Sequence, residues 1–208
     1  MVKKVHSSIK DEVLIEKRRN QMIKGAVTLF KEKGFHRTTT REIAKASGFS
    51  IGTLYEYIRT KEDILFLVCD AIYEQVKDKL EQVINTKLKG EQSLTHAVKS
   101  YFQLMDDMQD EVIVMYQELK SLSKEAQDYV LCKERDMVNM LERLIESVIP
   151  YEMNEKEVKL VANNIFVQGQ MWGFRRWMLQ RDFSIEEYSE TQLSFLFQSL
   201  RLEQDMAK

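Results

Sequence analysis

The sequence predicts an all-α protein of about nine helices, and three observations carry that expectation. The 208 residues include a single proline, Pro150, and only seven glycines, four of them before Lys61. So few breakers leave long segments that nothing interrupts. Apolar residues recur at three- and four-residue spacing through most of those segments, as helices with one buried face require. Capping residues with an acid three positions on, as at Thr39 and Glu42 or Ser184 and Glu187, mark where helices start.

Residues 1–12 are polar, with Lys3, Lys4 and Lys10, and are expected as a flexible basic tail. A first long helix runs from about Val13 to Lys33 on Met22, Ile23, Ala26, Val27, Leu29 and Phe30, and Gly34 ends it. Thr39 and Glu42 open a short helix with a small apolar face of Ile43, Ala44 and Ala46. Gly48 stops it, because glycine enters the left-handed region without a side-chain clash. Ser50 caps a second short helix carrying Thr53, Leu54, Tyr55 and Tyr57. Thr60 with Asp63 starts a long helix that Ile64, Leu65, Leu67, Val68, Ala71, Ile72, Val76, Leu80 and Val83 carry toward Ile84. Asn85 to Gln92 reads as a loop. Further helices follow over Ser93 to Met108, Val112 to Leu122 and Ser123 to Val148, the last stopped before Pro150. Asn154 with Glu157 opens a helix to about Gln180, and Ser184 with Glu187 opens the last one, to about Leu202.

Two short helices with a glycine turn form the pattern of a helix-turn-helix, whose second helix enters the DNA major groove. The segment from Phe35 to Leu65, FHRTTTREIAKASGFSIGTLYEYIRTKEDIL, resembles the DNA-binding domain of the TetR family of bacterial transcriptional regulators. The resemblance covers roughly Glu16 to Leu65 and includes T-x-R-x-I-A, G-T-L-Y-x-Y and K-E-D-I-L in order. It implies a DNA-binding head over residues 1–61 and a ligand-binding and dimerisation body over residues 62–208, nine helices being the count typical of that family.

Charge agrees with that division. Through Lys61 there are 14 basic and 6 acidic residues, which leaves 17 basic and 27 acidic in the remainder, although the whole chain carries only −2. A basic head is drawn to phosphates and an acidic body is repelled by them. Within the head the resemblance points to Thr40, Arg41, Ile51, Gly52, Thr53, Tyr55, Tyr57 and Lys61. Arg41, Tyr55, Tyr57 and Lys61 are the donors suited to phosphate oxygens, and Thr53 can reach a base edge. Ile51 offers apolar contact to thymine methyls, and Gly52 removes a side chain where the backbone nears the duplex. For Tyr57 the competing reading is plain core.

Eight of the eleven methionines lie between Met105 and Met178. Methionine follows irregular shapes, so a methionine-rich interior suits a pliable pocket. The candidate lining is Tyr101, Phe102, Met105, Met108, Met115, Tyr116, Met137, Met140, Phe166 and Trp172; for any one of them plain helical core is the commoner reading, and the pocket rests on the set and on the resemblance. Arg175 and Arg176 stand between Phe174 and Trp177 in the most apolar helix of the body. The commoner reading is that they pair with acidic side chains or stack on Trp172 or Trp177, and the functional one makes Arg176 the candidate grip for an anionic end. The expected effector is a large apolar molecule with such an end, a long-chain acyl-CoA being the leading choice.

The segment FVQGQMWGFRRWML is apolar all round, which buries a helix on more than one side. The final helix is similarly broad. Gly169, Gly173, Trp177, Phe195 and Leu196 are the expected contacts of a homodimer, and the resemblance implies an interface of the last two helices from each copy. A two-fold dimer suits a palindromic operator.

No nucleophile–base–acid order and no glycine-rich phosphate loop is readable, so an enzyme is not expected. His6, His36 and His96 are isolated, and Cys69 and Cys132 are too few for a zinc site or a disulfide framework, so neither metal nor cofactor is expected. The charged N-terminus and the lack of a long apolar run point to the cytoplasm, with no membrane partner. The reading is a ligand-responsive repressor released from operator DNA by its inducer. The alternatives are a multidrug-sensing repressor of an efflux system and a helical binding protein without DNA function.

Overall fold

The computed structural model describes Val5, residues 7–84 and residues 88–202. Among them are ten α-helices and no strand: α1 Glu12–Lys33, α2 Thr40–Ala46, α3 Ile51–Tyr55, α4 Lys61–Ile84, α5 Glu91–Asp107, α6 Gln109–Glu118, α7 Lys124–Val148, α8 Glu155–Phe174, α9 Arg176–Asp182 and α10 Ile185–Ser199. A 3-10 turn, Leu119–Ser121, follows α6. No helix among the described residues is long and apolar enough to cross a membrane.

The expected helix starts are where the caps place them. Thr39 Oγ1 accepts from Glu42 N while the Glu42 carboxylate accepts from Thr39 N, and Ser184 and Glu187 repeat the arrangement at α10. Asn154 caps α8 by accepting from Lys156 N at 2.9 Å. The Asn85 to Gln92 loop lies partly outside the described residues. Its described end includes Gly90, at φ +57, which precedes α5.

The tenth helix comes from a break. The helix expected from Asn154 to Gln180 ends at Phe174, because Arg175 adopts φ −101 and ψ 20 and α9 restarts at Arg176. Gly173, a weak helix former, sits beside the break, and the Arg175 guanidinium lies 5.4 Å over the Trp177 ring.

The chain forms two compact units, Met1–Ile72 with Asp110–Lys133, and Tyr73–Gln109 with Glu134–Lys208. They do not follow a boundary at Lys61. The first turns of α4 bury Ile64, Leu65 and Val68 completely, and they belong to the first unit because its three short-range helices cannot fill a core alone. In that unit α1 packs on α2 and α2 on α3. Phe30 and Phe35 meet edge to face at 5.2 Å, and Gly25 lets α1 pass close to Ser47. Tyr129 of α7 rests on Phe66 and donates to Asp70 Oδ1 at 2.8 Å. The described part of the expected flexible tail is tied down: Ser8 N donates to Glu56 O at 2.8 Å.

In the second unit α5 packs against α8 and α10. Gly169 is where α8 comes closest, so near to Tyr101 and Phe102 that a Cβ would not fit.

Candidate nucleic-acid interface and candidate effector core

The α2–α3 pair is built from local rules. Glu42, besides closing the cap, pairs with Lys33, and that hydrogen bond together with those from Thr39 holds its carboxyl down at about 2. At the other end of α2, Gly48 at φ +76 closes a Schellman motif. Phe49 N reaches Ala44 O at 2.8 Å and Gly48 N reaches Lys45 O at 3.1 Å. One residue later Ser50 Oγ accepts from Thr53 N at 3.0 Å and starts α3. The Thr40 and Tyr55 hydroxyls then meet at 3.1 Å, which ties the first turn of α2 to the outer face of α3.

Six of the eight residues expected to meet DNA lie at this surface: Thr40, Arg41, Ile51, Gly52, Thr53 and Tyr55, the last 49% exposed. The other two do not fit as phosphate donors. Tyr57 is 3% exposed and is core, the competing reading of that position. Lys61 turns its ammonium onto three backbone carbonyls, those of Phe35, His36 and Thr38, at 2.8, 3.3 and 3.1 Å. It also sits 4.3 Å over the Phe35 ring. An ammonium has three donors, so this side chain is occupied in holding the loop before α2. Glu118 grips the same loop by accepting from Phe35 N at 3.1 Å. Sequence reasoning missed Glu118, and it also missed Arg18, whose guanidinium lies 5.2 Å over Phe49 in the turn. Nothing local signals the first. The second is visible only as one more cation in a basic helix.

The expected effector residues fall in both units. Tyr101, Phe102 and Met105 on α5, and Phe166 and Trp172 on α8, are all buried in the second unit, as are Met108, Met137 and Met140. Tyr101 stacks on Phe166 at 5.7 Å and donates to the Phe166 carbonyl at 2.7 Å. Tyr188 of α10 joins them, 5.5 Å from Phe102 and 4.9 Å from Trp172. Burial pushes its hydroxyl up to about 12. Trp172 Nε1 donates to Asp106 Oδ1 at 2.7 Å, and Gln109 shares that oxygen at 2.6 Å. Met115, buried, and Tyr116, 38% exposed, belong to the first unit instead. A cavity of about 480 Å³ also lies in the first unit, between the N-terminal residues, α1 and α4, and none of the expected effector residues lines it.

Arg176 is half-buried. Its neighbour Arg175 has a buried Nε with no hydrogen-bond partner. Of the residues expected at a dimer contact, Trp177 and Phe195 are 62% and 58% exposed. Gly169, Gly173 and Leu196 are buried within the chain itself. For Gly169 the reason is the approach of Tyr101, so its missing side chain accommodates α5 and not a second copy. Leu160, Val167 and Phe174, seven apart along α8, add an exposed apolar stripe.

A basic head with a helix-turn-helix and a helical body define a DNA-binding regulator. The family model for bacterial regulatory proteins of the tetR family matches residues 22–68. The chain is 29% identical over 193 residues to the HTH-type transcriptional regulator HbdR of Aromatoleum sp. (strain CIB), covering 92% of this chain and 84% of that protein. It is 28% identical to the fatty acid metabolism regulator protein of Bacillus subtilis (strain 168), over 70% of this chain and 76% of that one. Its fold is similar to the crystal structure of AibR in complex with isovaleryl coenzyme A and operator DNA, with a TM-score of 0.70 at 18% identity, over 86% of this chain and 98% of that chain. Residues 22–68 thus match the DNA-binding domain of the tetR family, and the chain as a whole is similar to a helix-turn-helix transcriptional regulator.

Proposed function

We propose that the protein is a homodimeric repressor whose inducer is a large apolar molecule with an anionic end, of the acyl-CoA class. Residues 1–61 supply the DNA contacts. Thr40, Arg41 and Tyr55 bond phosphates, Thr53 and Ile51 meet base edges and methyls, and Gly52 admits the duplex backbone. Residues 62–208 supply the effector site and the dimer contact, the latter through Trp177, Phe195 and the Leu160–Val167–Phe174 stripe. Effector binding favours a conformation with lower operator affinity, so the operator is released by population shift.

The observation that carries the effector reading is the α8–α9 break. Helix α8 brings Phe166 and Trp172 into the aromatic core and then ends at Arg175, whose buried Nε has no partner. The guanidinium lies over Trp177 and its Nη2 reaches Met178 Sδ at 3.3 Å, but the Nε has no acceptor, a cost that a phosphate or carboxylate would remove. The methionines around the core suit a flexible acyl chain. The relatives lend support, since AibR is seen with isovaleryl coenzyme A and another relative regulates fatty acid metabolism.

The test starts from a duplex that the protein selects from a randomised pool. Long-chain acyl-CoA, the free fatty acid and a cationic hydrophobic drug are titrated into the complex. Release by the acyl-CoA, weakened in Arg175→Ala and Arg176→Ala variants that still bind DNA, is the expected result. Release by the cationic drug with no response to either anion overturns the proposal.

A further inference from the structure

Helix α3 has five residues, far below the length at which a helix holds itself together. The Thr53 and Leu54 carbonyls at its end take the amides of Glu56, Tyr57 and Ile58 as donors, which leaves the carbonyls just past the helix to find their own. Glu56, its C-terminal cap, and Tyr57 find theirs at a distance in sequence. Ser8 N donates to Glu56 O at 2.8 Å, and the Ser7 and Ser8 hydroxyls reach the same oxygen at 3.1 and 3.2 Å. From α1, Arg19 Nη2 donates to Tyr57 O at 3.3 Å and to Val5 O at 2.7 Å. One guanidinium thus holds both the strap before α1 and the end of the recognition helix.

The strap is not packed down along its length. The cavity of about 480 Å³ lies beside it, lined by Val5, Ser7 and Ile9 and, across from them, by Ile15, Arg19 and Leu67. These hydrogen bonds, with Val5 buried at 6% exposure, therefore carry the hold. Arg19 is partly desolvated to make them, and its Nε is buried without a partner. A side chain kept there against that desolvation is held by the two carbonyls and by the charges of Asp63 and Asp70.

We propose that Val5, Ser7 and Ser8, pinned by Arg19, are a cap for the C-terminal end of the recognition helix. Arg19 is a positioning residue for DNA binding. It acts through the Tyr57 and Val5 carbonyls, without a phosphate contact of its own. This rests on α3 being the helix that reads DNA.

Three variants test it: a form lacking residues 1–8, Arg19→Leu and Arg19→Lys. Binding to a duplex selected by the intact protein is measured over a series of salt concentrations. Hydrogen–deuterium exchange of the segment holding Ser8, and thermal melting, accompany it. Truncation and Arg19→Leu should each weaken binding about tenfold at every salt concentration, roughly the worth of one lost net hydrogen bond. The log–log salt slope should stay constant in Arg19→Leu, because no phosphate contact is lost there, whereas truncation also removes Lys3 and Lys4 and is read on affinity alone. Arg19→Lys retains a donor for the carbonyls and should recover most of the affinity. Exchange at the Ser8 amide should rise in Arg19→Leu while melting changes by only a few degrees. Unchanged affinity in the truncated form overturns the proposal. So does a loss in Arg19→Leu accompanied by a smaller salt slope, which would make Arg19 itself a phosphate contact. A loss in Arg19→Leu that simply tracks a large fall in melting temperature, with no rescue by lysine, also overturns it. If the intact protein selects no duplex, the DNA reading of α3 fails, and exchange at Ser8 still decides whether Arg19 holds the strap.

Discussion

Gly169→Ala places a methyl group where the fold has already put another side chain. An ideal Cβ there lies 2.4 Å from Tyr101 Cε1, 2.9 Å from its Cζ and 3.1 Å from Phe102 Cδ1. Tyr101 has nowhere to go. It is 1% exposed, its ring stacks on Phe166, and its hydroxyl donates to the Phe166 carbonyl at 2.7 Å. Overpacking of this kind costs roughly 1–3 kcal/mol. Loss of the hydroxyl's bond, as the ring shifts, adds about 1 kcal/mol. Alanine's better helix propensity returns about 1 kcal/mol. The net is a destabilisation of roughly 1–3 kcal/mol, and a central value of about 2 lowers Tm by about 4–8 °C in a chain of this size. Circular dichroism melting, with light scattering for the mass, measures both outcomes of interest. The expected result is earlier melting at unchanged oligomeric mass. Unchanged melting with loss of the oligomer would refute the reasoning, because Gly169 would then face a second copy.

Lys61→Met should lower both Tm and operator affinity while leaving the salt slope of binding unchanged, since its ammonium is held by the Phe35, His36 and Thr38 carbonyls. A slope smaller by about one would restore it to the phosphate contacts. Trp177→Glu combined with Phe195→Glu alters only exposed positions, so a folded monomer that binds the operator poorly is expected by light scattering and gel shift. A dimer that survives the double change places the contact elsewhere. Glu111 has its pKa raised from 4.5, chiefly by burial and then by Asp110. A carboxyl raised on folding penalises the folded state as pH climbs through the raised value, and the penalty vanishes once both states are protonated. Glu111→Gln should therefore raise Tm at neutral pH, with the gain disappearing below about pH 4.5, the unfolded value. A gain that persists in acid would exclude the ionisation as its cause.

The head was legible because its instructions are local. Thr39 with Glu42, Gly48 and Ser50 each act within four residues, and each cap and turn appears where those residue types require it. Patterning also located the core of the second unit, since Tyr101, Phe102, Phe166 and Trp172 stand at helical spacing and are all buried together. What that spacing does not encode is which side of an all-apolar helix faces inward. Gly169 and Trp177 look equally fit for a dimer contact in the sequence. They separate only when α5 is laid against α8, which buries the first and leaves the second exposed.

The remaining surprises share a physical cause. Lys61, Arg19, Glu118 and Ser8 all serve backbone groups at the ends of short elements: the loop before α2 and the end of α3. A sequence displays donors such as lysine and arginine openly. It does not display the carbonyls that a two-turn helix leaves unpaired, because those exist only once the chain has bent there. A lysine beside a recognition helix is then read as a phosphate ligand, although an orphaned carbonyl is the nearer acceptor. Of the basic residues flanking α2 and α3, Lys61 and Arg19 are taken this way, and Arg41 is left at the surface among those the sequence assigned to DNA.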